Sequence, residues 1–291
     1  MQNNGYEEQN INNVQDILGK EFKVLDHGFI RLLEIMGDDS SICQAARVSY
    51  GKGTKSVRED RALLRYLMRN AHTSPFEMVE LKFHVRMPIF VARQWIRHRT
   101  ANVNEYSGRY SEMTDEFYLP QADQIRTQSQ VNKQARSEDQ LDETRANEII
   151  EQMKDSQAES YNEYKEYVAE GVAREIARIN LPLSSYTEWY WKIDLHNLFR
   201  FLKLRMDHHA QYEIRVYANI IADILKQILP ISYEAFSDYI LNSVTFSKSE
   251  LFKIKDSIAN FDFDNLTPEN SNLSKTEIAE LKNKINFIKQ L

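Results

Sequence analysis

The sequence predicts a chain of mixed α and β structure, and three stretches carry that expectation. From Met78 to Met87, Val79, Leu81, Phe83, Val85 and Met87 alternate with Glu80, Lys82, His84 and Arg86, the period of a half-buried strand. From about Glu138 to Glu170 runs a long acidic amphipathic helix, and Ala210 to Leu229 is a second helix with Ile214, Tyr217, Ile221 and Leu225 inward.

Taken in order, residues 1–21 read as a polar N-terminal arm. Phe22 to Met36 is apolar enough for a strand running into a short helical or extended segment. Asp38 to Ser41 offers N-caps for a helix through Arg47, and residues 57–71 keep helical spacing. His72 to Glu77 breaks that helix before the 78–87 strand. Pro88 suits the first turn of a helix reaching about Arg97, which sets Gln94 and Arg97 on one face. After a Gln-rich linker, the acidic helix presents Ile150, Met153, Ala158, Tyr161, Tyr164 and Val168 as its core stripe. Ala173 to Ile179 is a short helix, and residues 186–206 are aromatic and partly helical. The segment 236–291 is a helical C-terminal extension with two capping boxes, Ser247 with Glu250 and Ser274 with Glu277.

Composition narrows the function. Net charge is −6, and residues 121–170 alone hold twelve acids against six bases. A local anion site fits this better than a broad nucleic-acid surface, which needs a basic face. No apolar run reaches membrane-span length, and the polar start MQNNGYEEQNINNVQ lacks the basic and apolar regions of a secretory signal. The single cysteine, Cys43, suits a reducing compartment, so a cytoplasmic protein is expected.

Against the acidic background, residues 93–111 gather Arg93, Arg97, Arg99, Arg109 and His98 around one acid, Glu105. Concentrated guanidinium groups repel one another, and a phosphate ligand offsets that cost because each planar fork matches two oxygens. Ser107 adds a hydroxyl, and Gly108 permits close approach to backbone donors. Asn104 and Glu105 can read an amide-like edge, such as a pyrimidine or flavin ring presents.

Cys43 lies in an apolar helix pattern, where thiols are inert, so no cysteine nucleophile is expected. Ser107 lacks an evident base and reads better as a hydrogen-bond donor to a nucleotide. Asp207, His208, His209 and Glu213 resemble a metal set, but adjacent histidines on a helix diverge by about 100°, and no metal is expected. The eight glycines form neither G-x-G-x-x-G nor a P-loop, so any dinucleotide must be held by side chains.

Arg97-His98-Arg99, seven residues and then Ser107, within RHRTANVNEYSGRYS, resembles the signature of the flavin-dependent thymidylate synthases. Further blocks resemble that family in the same order: Ala45–Ser49, His72–Glu77, Pro88–Trp95, Ala177–Pro182 and Leu204–Gln211. The likeness covers about residues 22–235. Asn102 departs from the serine of many members, and Asp194, His196 and Arg200 stand where some have Asn, Arg and Asn.

The resemblance implies an α/β (α+β) domain, a mixed sheet with flanking long helices, assembled as a homotetramer with active sites between subunits. It implies methylation of dUMP to dTMP through FAD, with methylene-tetrahydrofolate and NADPH as co-substrates. By position, Ser49, His72, Ser74, Arg97, His98, Arg99 and Glu105 would hold the flavin, with Asp194, His196 and Arg200 approaching from a helix. Gln94, Arg97, Glu105, Ser107, Gly108, Arg109, Arg178 and Arg205 would hold dUMP, and Arg205 and Ser107 would serve catalysis. The competing readings are a single-strand nucleic-acid module, from Tyr106, Tyr110, Phe117 and Tyr118 among the arginines, and a flavin reductase without methyl transfer.

Overall fold

The computed structural model describes residues 14–48, 57–130, 136–259 and 266–290. Backbone contacts divide the chain into two compact units, residues 1–241 and 242–291. The larger unit is built on a five-stranded sheet. Its strands are β1 (Phe22–Val24), β2 (Gly28–Met36), β3 (Glu80–Pro88), β4 (Asn102–Glu105) and β7 (Tyr186–Asp194), in the order β1-β2-β3-β7-β4. Every pairing is antiparallel, so the expected mixed sheet is corrected. Strands β5 (Arg126–Gln128) and β6 (Arg136–Gln140) form a separate hairpin.

The predicted alternation in β3 is realised: Leu81, Phe83, Val85 and Met87 are fully buried, opposite Ile193, Trp191, Trp189 and Thr187 of β7. Helices α3 (Ile89–Trp95), α5 (Leu195–Arg205) and α6 (Tyr212–Ile228) share that core. Trp95 stacks on Phe201 with ring centroids 4.7 Å apart and meets Trp191 edge-on, which joins α3, α5 and β7. Ile214, Tyr217, Ile221 and Leu225 of α6 all face inward as expected. Gly28 is there because any side chain would strike the Tyr217 hydroxyl, 2.0 Å from where a Cβ would stand.

Helix α1 (Asp39–Arg47) opens with Asp38 as N-cap, in a capping box with Ser41, as the sequence implied. Helices α2 (Val57–Arg69) and α7 (Pro230–Phe236) pack on the same side. Buried Asp39 accepts from the Ile231 and Ser232 amides, at 3.0 and 2.9 Å, and so caps α7.

Helix α4 (Glu143–Ala169) starts later than expected, because residues 136–140 form β6. Its buried seam is Ala146, Gln157 and Tyr164, while Met153 and Ala158 are exposed, which corrects the predicted stripe. Intervals of eleven and seven residues keep one helical face. Gln157 tolerates burial because its amide donates to the Tyr118 carbonyl and the Ser184 hydroxyl, each at 3.1 Å. The aromatic stretch 186–206 resolves into β7 followed by α5.

In the smaller unit, α8 (Lys248–Ala259) and α9 (Lys275–Lys289) pack together. Both capping boxes form: Ser247 with Glu250, and Ser274 with Glu277. Among the described residues, no helix is long and apolar enough to cross a membrane.

Candidate functional site

Helix α3 ends at Trp95, two residues earlier than its sequence predicts, so Arg97 lies in the turn that follows it. A turn closed by the His98 amide on the Trp95 carbonyl, 3.0 Å, then directs the chain into β4. NVNE is polar and lies on the sheet edge, so it lacks the apolar alternation that marked β3.

The turn brings the first cluster together. Arg205, near the end of α5, donates from Nε to His98 Nε2 at 3.0 Å and from Nη2 to the Gln94 carbonyl at 3.0 Å. Guanidinium N–H groups only donate, so His98 Nε2 is the bare nitrogen and Nδ1 carries the proton. Burial, reinforced by the positive charges of Arg205 and Arg200, lowers the His98 pKa to about 4. Burial also lowers the pKa of Arg205. Arg205 is thus a half-buried cation held by two neutral acceptors, with no carboxylate partner among the described residues. The Gln94 side-chain amide donates to Gln211 Oε1.

A second cluster forms where β4 ends. Glu105, opposite Trp189, accepts from the Thr187 hydroxyl at 2.8 Å. Ser107 to Ser111 is a turn in which the Ser107 carbonyl accepts from the Tyr110 and Ser111 amides. Buried Gly108 lies against Arg178: a Cβ there would stand 3.2 Å from its Nη1 and 2.6 Å from Met113 Sδ. Arg109 Nε is 3.4 Å from Glu175 Oε2, and Arg174 donates to the Tyr110 carbonyl. Among the described residues, no hydrogen bond or ion pair joins this cluster to the first.

The third group lies at the other end of β7. Asp194 caps α5, accepting from the Asn197 amide at 2.9 Å and its side chain at 2.8 Å. His196 follows on the first turn, and Arg200 is exposed, reaching Asn197 Oδ1 at 3.5 Å. His72 is exposed and edge-on to Tyr66, and Ser74 opens a 3₁₀ turn that packs on α5. Asp194 stands five residues along β7 from the partner of Glu105, about 17 Å at strand rise. Only an extended ligand, or two chains, can engage both ends. Ser49 lies outside the described residues.

Arg97 and Arg99 are exposed, and with Arg178 they form no ion pair among the described residues. Such a donor set fits a group with an anionic pyrophosphate. Cys43 is fully buried, donates weakly to the Asp60 carbonyl, and burial pushes its thiol up to about 12. Asp207, His208 and His209 lie in a turn and not on a helix, so the divergence argument fails for them. Their donor atoms fall within 4.8 Å of one another, all on exposed residues.

Sequence reading missed Thr187, Glu175, Asn197 and the side-chain role of Gln211. Thr187 was findable, because it continues the alternation of Trp189, Trp191 and Ile193. The others depend on contacts between distant segments and carried no local signal.

The family model described as thymidylate synthase complementing protein matches residues 31–231. A flavin-dependent thymidylate synthase of Wolbachia pipientis wMel is 54% identical over 271 residues, covering 93% of this chain and 94% of the relative. One from Treponema denticola is 56% identical over 245 residues, covering 84% and 92%. Among solved structures, a UMP/dUMP methylase, PolB from Streptomyces cacaoi bound with 5-Br dUMP, matches with a TM-score of 0.68 at 30% identity. That match covers 75% of this chain and 98% of that one. A family match over residues 31–231, together with relatives more than half identical over nearly their full length, establishes that this chain belongs to the flavin-dependent thymidylate synthase family.

Proposed function

We propose that this chain methylates dUMP to dTMP, with methylene-tetrahydrofolate as carbon donor, NADPH as reductant and FAD as cofactor, and without a cysteine nucleophile. The observation that carries the reading is the uncompensated, half-buried guanidinium of Arg205 beside a neutral His98. A cation desolvated in this way is stabilised by an anion, and it is preorganised to stabilise one that develops during reaction. The methylase bound with a brominated dUMP supports a pyrimidine nucleotide as that partner.

Bound FAD, once reduced, would supply the electrons and the relay for the carbon unit. The protein's residues bind and orient. Arg205 faces the O2/O4 edge of the uracil and stabilises negative charge there, while His98 and the Gln94 carbonyl hold its plane. Ser107 donates to the nucleotide, Arg109 and Arg178 take its phosphate, and Gly108 leaves room for close approach. Gln94 and Glu105 complete the nucleotide contacts. Arg97, His98, Arg99, Ser49, His72 and Ser74 hold the flavin, with Glu105 from β4 and Asp194, His196 and Arg200 from the start of α5. The inert Cys43 supports a route in which no thiol adds to the pyrimidine.

That no hydrogen bond or ion pair joins the Arg205 and Ser107 clusters among the described residues supports a homotetramer whose sites are completed between subunits. The cytoplasm is the expected compartment. Purified protein should show flavin absorbance, bleach with NADPH, and convert dUMP to dTMP when methylene-tetrahydrofolate is added. No conversion with FAD and every co-substrate present would sink the reading.

A further inference from the structure

A cavity of about 1530 Å³ opens beside the Arg205 cluster, walled by the β5–β6 hairpin, helix α4 and the segment 208–215. Ligand sites commonly run to roughly 300–1,000 Å³, so this one suits an extended molecule. Gln211 belongs to its wall and also accepts from the Gln94 amide, which ties the cavity wall to the Arg205 cluster through one hydrogen bond.

Its charge is unbalanced. Glu213 is the acid in the lining, and it is already neutralised by Arg136 at 2.9 Å and bonded by the Tyr118 hydroxyl at 3.0 Å. Arg126 and Arg215 remain. Arg126 donates to the Asp123 carbonyl at 3.1 Å and Arg215 to the His208 carbonyl at 2.8 Å, and neither has a carboxylate partner among the described residues. Two such guanidinium groups in a chain of net charge −6 call for an anion. Phe90 and Tyr118, with ring centroids 5.7 Å apart and planes tilted by 49°, supply an aromatic end, and Gln152 and Ser156 supply amide and hydroxyl groups that can read a heterocycle edge. With no glycine-rich phosphate loop in the sequence, a dinucleotide must be held by side chains of this sort.

We propose that this cavity binds the phosphorylated adenosine end of the dinucleotide reductant, with Arg126 and Arg215 on its phosphate oxygens. The proposal rests on the NADPH-dependent reading given above.

The test uses full-length FAD-loaded protein and adenosine 2′,5′-bisphosphate as the probe, followed by calorimetry. Wild type should bind the probe, and Arg126→Gln with Arg215→Gln should weaken binding at least tenfold. KM for NADPH should rise at least tenfold, with KM for dUMP unchanged. Enzyme reduced with dithionite should make dTMP at the wild-type level in a single turnover. Because Arg215 also braces the 207–211 turn, Arg126→Gln alone is the second variant and should reproduce a smaller loss. Absence of probe binding to wild type, an unchanged KM for NADPH, or a rise in KM for methylene-tetrahydrofolate instead would each overturn the assignment. If dithionite-reduced wild type makes no dTMP, the methylation reading fails separately, and probe binding still decides the cavity.

Discussion

The guanidinium of Arg205 has two neutral acceptors and no counter-ion among the described residues, so its loss acts on charge more than on packing. Removing one preorganised donor at a developing oxyanion costs roughly 10²–10³ in turnover. Arg205→Ala should show at least that loss while flavin absorbance persists, and near-normal turnover would refute the role. After burial, the Arg205 charge is the next cause of the low His98 pKa, so the same change should raise that pKa above about 4 in an NMR titration. Asp39 offers a different residue-scale test. Burial raises its carboxyl pKa from 3.8 to about 6, against the pull of its bonds to Ile231 and Ser232. A carboxyl raised on folding favours the native state fully below the unfolded pKa, and that advantage is lost as pH rises through 6. The difference amounts to about 3 kcal/mol. Asp39→Asn removes it, so the stability of the variant relative to wild type should increase from pH 4 to pH 7 in urea melts. A constant offset would show that Asp39 does not titrate in this range.

At the scale of elements, the sequence is legible where burial follows period and opaque where polar residues do the positioning. Strand β3 and helix α6 were readable because each buries one clean apolar set. Strand β4 was not, because its four residues are all exposed on the sheet edge and bury no apolar set. The seam of α4 was misread because a glutamine, satisfied by Tyr118 and Ser184, occupies a core position that an apolar count skips. The start of α5 shows a residue with two readings. Asp194 was assigned to a ligand by resemblance, yet its carboxylate caps the helix. Loss of an N-cap costs about 0.5–2 kcal/mol, so Asp194→Ala should lower the melting temperature and Asp194→Ser should restore it. If flavin affinity falls in the alanine variant and returns with serine, the cap alone accounts for the effect. Weakened flavin binding in a serine variant of wild-type stability would give the carboxylate a direct role.

Over the whole molecule, the arginine stretch feeds two clusters that no hydrogen bond or ion pair joins among the described residues. His98 meets Arg205 in the turn after α3, and Gly108 lies against Arg178 past the end of β4. A single motif in the chain can therefore serve two half-sites, one on each of two neighbouring subunits, and closed symmetry would repeat that arrangement around the assembly. Subunit mixing distinguishes this from a site complete within one chain. Arg205→Ala lacks the first half and Arg178→Ala the second, so either homomer should be nearly inactive. When the two are denatured together in equal amounts and refolded, random assembly pairs an intact first half with an intact second half in about a quarter of sites. Turnover should then recover to about that fraction of wild type, with NADPH and methylene-tetrahydrofolate saturating. A site built within one chain gains nothing from mixing, because every chain still carries one lesion. Activity that stays at the level of the separate variants, while the mixed protein shows native size and flavin content, would place both clusters in the same subunit's site.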